Sequence, residues 1–553
     1  MDILLAAQQY INEMVRLAGP GMKTAIISCA YAQSEMMQKE VYLFERIDTG
    51  AARESIRFLK CVVFLRPTPE NVQLLSEELR TPKYAQYYIY FSNIISKADM
   101  KVLAEADEQE TVREVREFYA DAIPLAPHLG TLGLANCYET QFNLSATAFR
   151  RCVHALVALS LSLKKRPLIR YQTRCMDAAR LAQELAKTFT REEALFEGCR
   201  SDAVILILDR SEDPVSPLLN QWTYEAMVHE LIGINNNRVS MENAPASDGA
   251  KNIVLNAAND EFYGKNMYLN FGDIGQNIKT LMNEYQRKSQ THQQLESISD
   301  MKKFVEQYPQ FKKISGTVTK HVQLVSELSR LVTAQNLLEV SELEQNIVNS
   351  GEHGHCLEAV RRLILNPNIT DLNALRLALL YALRFENHAN NALNAVVGDL
   401  RQRGVSQRLI GTTRVLLDYA GARRRQYDVF GNRSAMEKTK RFIKGLKGVE
   451  NIYTQHEPYI VQLIDQISRG RLPESMFACT EQPQSNIRFE NVFVFIIGGC
   501  TYEESAFVHS INARRAQNPA LPRVVLSSTC VHNGRSFIQQ LAHFASGVGG
   551  DHL

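Results

Sequence analysis

No stretch of this chain stays apolar for the roughly 20 residues that a bilayer-spanning helix needs. The nearest approach, HALVALSLSL, ends before Lys164. The opening MDILLAAQQYINEMV carries Asp2 and lacks the basic start and long apolar core of a secretory leader. Membrane association is therefore expected through partners only. The ten cysteines, at positions 29, 61, 137, 152, 175, 199, 356, 479, 500 and 530, form no Cys-x-x-Cys pair. Several sit inside apolar runs and read as reduced core thiols of a cytoplasmic protein, not as a disulfide frame or a zinc set. Charge excess is missing too: 62 Lys and Arg against 60 Asp and Glu leave +2, too little for a nucleic-acid binder. The phosphate loops G-x-x-x-x-G-K-[ST] and G-x-G-x-x-G are absent, as are the G-x-S-x-G elbow and H-E-x-x-H. There is no internal repeat or low-complexity tract. The expectation is a protein without cofactor, metal ion or catalytic residues.

What the chain does have is a set of short, continuously apolar runs: Ala203 to Leu208, FVFIIGG at 493–499 and RVVLSST at 523–529. Runs this short and this apolar read as strands buried on both faces, as in the middle of a parallel sheet. Strands so far apart in sequence do not form separate stable sheets, so the C-terminal segment is inferred to return to the domain that holds 203–208. The fold class is then α/β plus a large all-α insertion. Residues 1–128 form a first α/β domain, 129–235 and 470–553 the two parts of a second, and 236–469 a mainly helical third. In the first domain a helix over 3–17 is followed by strands near 24–30, 41–47, 61–67 and 87–93, with helix-compatible stretches at 71–79 and 99–119. Further helical patterns cover 146–163 and 169–189. Within the insertion, Phe304, Tyr308, Phe311, Ile314, Val318, Val322, Val325, Leu328 and Val332 recur every three or four residues. That stripe marks a long helix or helical hairpin over 300–343, with kinks or turns expected at Pro309 and Gly316. Residues 349–356 and 420–434 read as loops.

Four constellations invite a chemical reading, and each has a plainer one. Asp209 and Asp213 follow a buried strand, where ligands often bind, but no third ligand or glycine loop accompanies them, and a strand exit with turn caps suffices. His353, His355 and Cys356 lack the second ligand pair of a closed zinc site. Gly498 and Gly499 precede Thr501, which fits a helix N-cap with Glu504 completing a capping box. Arg423, Arg424 and Arg425 fall short of a lipid-binding basic cluster. A nucleotide- or sugar-phosphate-handling enzyme using the loops after Leu208 or Ile497 is the alternative from another class.

Taken together, long blocks of the chain resemble the SM family, the syntaxin-binding regulators of SNARE-mediated membrane fusion. They include QKEVYLFERID (38–48), FLRPTPENV (64–72), YYIYFSNIISKAD (87–99), LAEADEQE (103–110), LNQWTYEAMVHELIGINNNR (219–238), EFYGKNMYLNF (261–271), YPQFKKISGTVTKHV (308–322), FIKGLKGVENIYTQH (442–456) and IIGGCTYEE (496–504). The resemblance spans almost the whole chain, and within the family it is similar to the class of the trans-Golgi and endosomal route, an SM protein of another route being the alternative. It implies a non-enzymatic, three-domain arch, expected to be a monomer, whose central cleft holds a Qa-SNARE and promotes SNARE assembly in vesicle transport. It implies cleft contacts from Arg46 and Arg66. A pocket for the syntaxin's N-terminal peptide is implied at a helix and following strand over 111–129, with Val112, Val115, Phe118, Tyr119 and Leu129. A SNARE-contacting hairpin would carry Pro309, Phe311, Val318 and Val322. Peripheral association with Golgi and endosomal membranes follows from such partners. One departure is the short segment after Met22, where relatives have a longer one. It bears on the first domain's cleft wall.

Overall fold

A computed structural model describes residues 1–27, 36, 41–52, 54–235, 237–241, 252–257, 259–293, 298–349, 351–430, 452–481 and 489–545. Most of the shortened segment after Met22 lies outside these. Helix α1 (Ile3–Leu17) starts where the Asp2 carboxylate accepts the Leu5 amide at 2.8 Å. It buries Ile3, Ala7, Ile11, Met14 and Val15 along one stripe. Strands β1 (Lys23–Ile27), β2 (Val41–Glu45) and β3 (Ile56–Leu65), helix α2 (Pro69–Arg80), strand β4 (Tyr84–Phe91), helix α3 (Lys97–Ala106) and strand β5 (Val112–Glu117) follow. The five strands form one parallel sheet in the order β2-β1-β3-β4-β5. Tyrosines of central β4 tie it to its surroundings. Tyr84 donates to Glu45 at 2.5 Å, Tyr87 to Glu78 at 2.6 Å and Tyr90 to Glu114 at 3.2 Å, so apolar rings fill the core while each hydroxyl keeps a partner.

Next come β6 (Ile123–Ala126), β7 (Leu129–Thr131), α4 (Ala146–Ser162), β8 (Leu168–Gln172), α5 (Met176–Arg191) and β9 (Ala203–Asp209). The helical part contains α6 (Tyr224–Leu231), β10 (Arg238–Ser240), β11 (Asn252–Val254), α7 (Glu261–Asn266), α8 (Phe271–Gln293), α9 (Ile298–Ala334), α10 (Leu337–Asn349), α11 (His353–Ile364), α12 (Asp371–Arg384), α13 (Leu393–Arg403) and α14 (Gln407–Ala420). The chain then runs through α15 (Tyr459–Ser468), β12 (Phe477–Cys479), β13 (Asn491–Ile497), α16 (Tyr502–Arg514), β14 (Arg523–Ser528) and α17 (Gly534–Ala542). The second sheet has the order β12-β8-β9-β13-β14-β7-β6. Every residue of β9 and β13 is buried, and β13 lies parallel between β9 and β14. The C-terminal segment thus shares a sheet with 203–209, because continuously apolar strands need neighbours on both edges and cover on both faces.

By contacts the chain divides into one unit of 1–210, 461–500 and 507–531, which holds both sheets, and another of 211–460, 501–506 and 532–553, which is mainly helical. At the centre of the helical unit α12 is buried throughout from Asn373 to Leu383. Arg376 within it pairs with Glu230 and stands 3.7 Å from Glu344. Glu344 also accepts the Asn220 amide at 2.9 Å, and Glu230 accepts the Gly534 amide at 2.9 Å.

Several expectations are corrected. The change from the first sheet to the second falls at 118–122, since β6 already joins the second sheet, whereas the boundary was expected at 128. The helical patterns over 99–119 and 169–189 each hide a strand, β5 and β8. The loop expected at 349–356 gives way to α11 from His353. Helix α9 runs unbroken through Pro309 and Gly316. A Cβ at Gly316 would meet nothing, so glycine there costs about 1 kcal/mol against alanine without ending the helix. The missing donor of Pro309 removes one bond from a helix of 37 residues. The hairpin is therefore α8 with α9, over 271–334, and α10 is a separate helix.

Candidate partner-binding site

The helical hairpin is anchored at its root by a buried polar cluster. Val318, His321, Leu324 and Leu328 are buried on one face of α9, the last two in a core with Trp222, Tyr224, Val239, Ile253 and Tyr263. The His321 Nε2 lies 2.9 Å from Asp260 Oδ2, and its Nδ1 lies 2.8 Å from the Tyr224 hydroxyl. An ionised carboxylate only accepts, so Nε2 carries the proton and Nδ1 takes the Tyr224 hydrogen. Lys320 pairs with the same Asp260 oxygen, and the other oxygen caps α7 through the Tyr263 amide at 3.0 Å. Burial would raise the Asp260 carboxyl, but the bonds from His321 and Lys320 hold it well below the usual carboxylate range. Burial pushes the His321 imidazole down, with Asp260 opposing.

Above this root, α9 walls a groove of about 720 Å³. Val322, Gln323, Ser326, Glu327, Arg330 and Leu331 line it from α9, facing the C-terminal turn of α6, where Gly233 adopts φ +102°. Arg330 forks onto Glu327 at 2.7 and 2.8 Å. A lining that mixes Leu231, Ile232, Met241, Val322 and Leu331 with polar groups and the Arg330–Glu327 pair suits an amphipathic helix. Val318 itself is buried, and Val322 packs on the core while lining the groove. Pro309 and Phe311 lie within α9, and their side chains are outside the described residues.

In the first sheet Arg46 follows β2 and Arg66 follows β3. Both thus stand at the carboxyl edge, two strands apart with β1 between, about 10 Å by strand spacing. Carboxyl edges of parallel sheets are where ligands commonly bind. The exposed Arg46 fork is held by Asp48 at 2.6 and 2.9 Å, and Asp48 raises its pKa. Arg66 is half-buried, and its carbonyl accepts from Thr68 and Asn71.

The residues expected to form one peptide pocket are distributed over several settings. Residues 112–117 are the edge strand β5, with no helix between 111 and 129. Val112 and Val115 are half-buried against the core that contains Tyr87 and Ile89. Phe118 is buried in a different cluster, 5.2 Å from the Tyr10 ring and 5.3 Å from Tyr90. Leu129 is fully buried in the second sheet. Tyr119 is half-buried and donates to Glu117 at 2.9 Å. Of these five residues, Val112, Val115 and Tyr119 keep accessible surface beside the edge of β5. Among the features the sequence did not flag is Phe58, an 80% exposed aromatic on β3.

The loops after the buried strands are occupied by the protein's own groups. Asp209 accepts the Tyr138 hydroxyl at 2.8 Å, and Asp213 accepts Ser216 and the Tyr459 amide. Arg210 is buried and donates to the Gly499 carbonyl at 2.9 Å. Gly498 and Gly499 take φ values of +84° and +98°. Thr501 and Glu504 exchange the two bonds of a capping box, 2.8 and 3.2 Å. His353 stacks on His388 at 4.0 Å, Cys356 is buried, and no metal-ligating cluster occurs among the described residues. Arg423 and Arg424 are exposed, whereas Arg425 is buried over the Phe430 ring. No described helix is long and apolar enough to cross a membrane.

The model of the Sec1 family matches residues 23–540. Vacuolar protein sorting-associated protein 45 of Homo sapiens is 49% identical over 99% of this chain and 97% of its own length. The Arabidopsis thaliana homolog of that protein is 39% identical over 98% of each. A solved structure of the SM protein Vps45 in complex with the Qa SNARE Tlg2 (1-310) superposes with a TM-score of 0.88 at 42% identity, covering 100% of both chains.

Proposed function

This chain belongs to the Sec1 family, and from that premise we propose that it binds a Qa-SNARE of the syntaxin type and regulates SNARE-mediated fusion in vesicle transport. The observation that carries the reading is the full-length similarity, in sequence and fold, to a Vps45 held with its Qa SNARE. The protein acts by binding, without catalysing a reaction. It biases the syntaxin toward assembly through differential affinity for its closed and assembling states. Its place of work is the trans-Golgi and endosomal route, on membranes it reaches through its SNARE partners.

The finer contacts form part of the proposal. Arg46 and Arg66 meet carboxylates of the SNARE helices, Arg46 exchanging its bond to Asp48 for one across the interface. The groove along α9, with Val322, Gln323 and Arg330, takes an amphipathic SNARE helix. The syntaxin's N-terminal peptide docks beside the edge of β5 at Val115 and Tyr119, tethering the partner and raising its local concentration. Because Val115 also packs on the core, an arginine there would test folding as much as binding, and Tyr119→Ala is the cleaner variant.

A pull-down against a panel of syntaxin cytosolic domains, each with and without its N-terminal peptide, tests the reading. Selective capture of a trans-Golgi or endosomal syntaxin is expected, weakened about tenfold by peptide deletion or by Tyr119→Ala, as for loss of a well-packed aromatic anchor. Capture insensitive to both changes would remove the β5 site. Capture of no syntaxin would overturn the function.

A further inference from the structure

The amino ends of the second sheet, at the opposite end of its strands from the Asp209 and Gly499 loops, surround a pocket of about 350 Å³. Ala203, Asn491 and Arg523 start adjacent parallel strands in register there. Four cations line the pocket: Lys165, Arg200, Arg515 and Arg523. Two carboxylates attend them. Asp202 holds the buried Lys165 ammonium at 2.7 and 2.9 Å, and Arg200 bridges Asp202 at 2.8 Å to Glu490 at 3.4 Å. Arg515 donates to the Glu490 main-chain carbonyl at 3.1 Å. Among the described residues neither Arg515 nor Arg523 has a carboxylate within ion-pairing distance. Four cations against two carboxylates leave an excess of two positive charges.

We propose that this pocket binds a phosphorylated polyol, such as an inositol bisphosphate, free in solution or presented as a lipid headgroup. Phosphates neutralise the excess charge at Arg515 and Arg523, whose planar forks suit phosphate oxygens. The exposed Glu490 carboxylate and the Asn491 side-chain carbonyl oxygen accept from ring hydroxyls. At about 30 Å³ per water, the space equals roughly a dozen waters, more than one phosphate fills. The main chain at the pocket floor is already committed. The Asn491 and Arg523 amides bond Asp202 and Glu490 carbonyls at 3.2 and 2.8 Å, and the Arg166 amide bonds the Arg200 carbonyl at 2.9 Å. Side chains remain to read a phosphate, while these committed amides offer no ladder to a peptide. This favours a polyol over a phosphopeptide.

Isothermal titration calorimetry of the full chain with soluble inositol bisphosphate is the first arm. Co-sedimentation with phosphatidylcholine vesicles, with and without phosphatidylinositol bisphosphate, is the second. Arg515→Gln with Arg523→Gln removes the two cations without a carboxylate partner, and Qa-SNARE capture by the same variant checks that it is folded. The expected result is salt-sensitive binding that falls about tenfold or more in the variant, as for loss of charge-assisted bonds. Binding in both arms assigns the ligand to a lipid headgroup, and binding in the first arm alone to a free polyol phosphate. Absence of binding in both arms, equal binding by the folded variant, or preference for a phosphoserine peptide overturns the proposal.

Discussion

Glu225 offers a sharp test of the helical unit's electrostatics. Its side chain is buried beside Tyr263, whose hydroxyl donates to it at 2.9 Å. Burial pushes the carboxyl from an ordinary value near 4.5 to about 8, against the favourable hydrogen bond. The folded state therefore holds a proton that the unfolded chain releases between these values, and stability falls as pH rises through that window. At ~1.4 kcal/mol per tenfold change in acidity, the loss is ~3 kcal/mol at pH 7 and approaches ~5 kcal/mol above pH 8. Glu225→Gln keeps an acceptor for Tyr263 and cannot ionise. Its amide adds a second donor, an offset of ~1–3 kcal/mol that does not vary with pH, so the informative quantity is the slope. Denaturant unfolding of both proteins at pH 5, 6, 7 and 8 should show the variant gaining on the parent by a few kcal/mol across the range. A difference that stays flat, or a parent that gains on the variant with rising pH, would refute the assignment of a neutral buried acid.

Two further perturbations follow from the buried charges. Arg376→Met strands Glu230 and Glu344 in the core and should cost ~3–5 kcal/mol, as for breaking a buried pair. A thermal unfolding curve superimposable on the parent's would show that the pair does not hold α12. Asp260→Asn breaks charge-assisted bonds to Lys320 and His321 and should loosen the hairpin root by ~2 kcal/mol at neutral pH. Since Asp260 is held below the ordinary carboxylate range, its contribution is present above that range and fades as pH falls through the depressed value, so the gap to the variant closes in acid. Amide hydrogen exchange across 318–328 reads this directly, and unchanged protection at neutral pH would rule out the anchoring role.

Much of the chain's organisation is written locally. Helix α1 carries its own start signal in Asp2 and its own stripe from Ile3 to Val15. Strands β9, β13 and β14 are continuous apolar runs that only a sheet interior can satisfy, and Thr501 with Glu504 spells a capping box. Long blocks in a fixed order identify the family without any coordinates. Strand β5 escaped because four of the six residues of VREVRE are charged, as an exposed edge strand allows, and its surroundings share the composition of a helix. The stripe through α9 was legible, but a stripe does not say which helix it packs against. Val318 is buried, whereas Val322 both packs on the core with Trp222 and Tyr224 and lines the groove, a division that the stripe alone does not show.

The sequence by itself determined the fold class, the return of the C-terminal strands and the family, because each rests on local hydrophobic patterning or on long contiguous blocks. Only the tertiary structure decided where charge lies relative to charge. Glu225 near Tyr263, Arg376 between Glu230 and Glu344, and Lys165, Arg200, Arg515 and Arg523 around one pocket are distant in the chain and ordinary in composition. Burial and the electrostatic field are properties of the packed molecule, set by neighbours that no stretch of sequence contains.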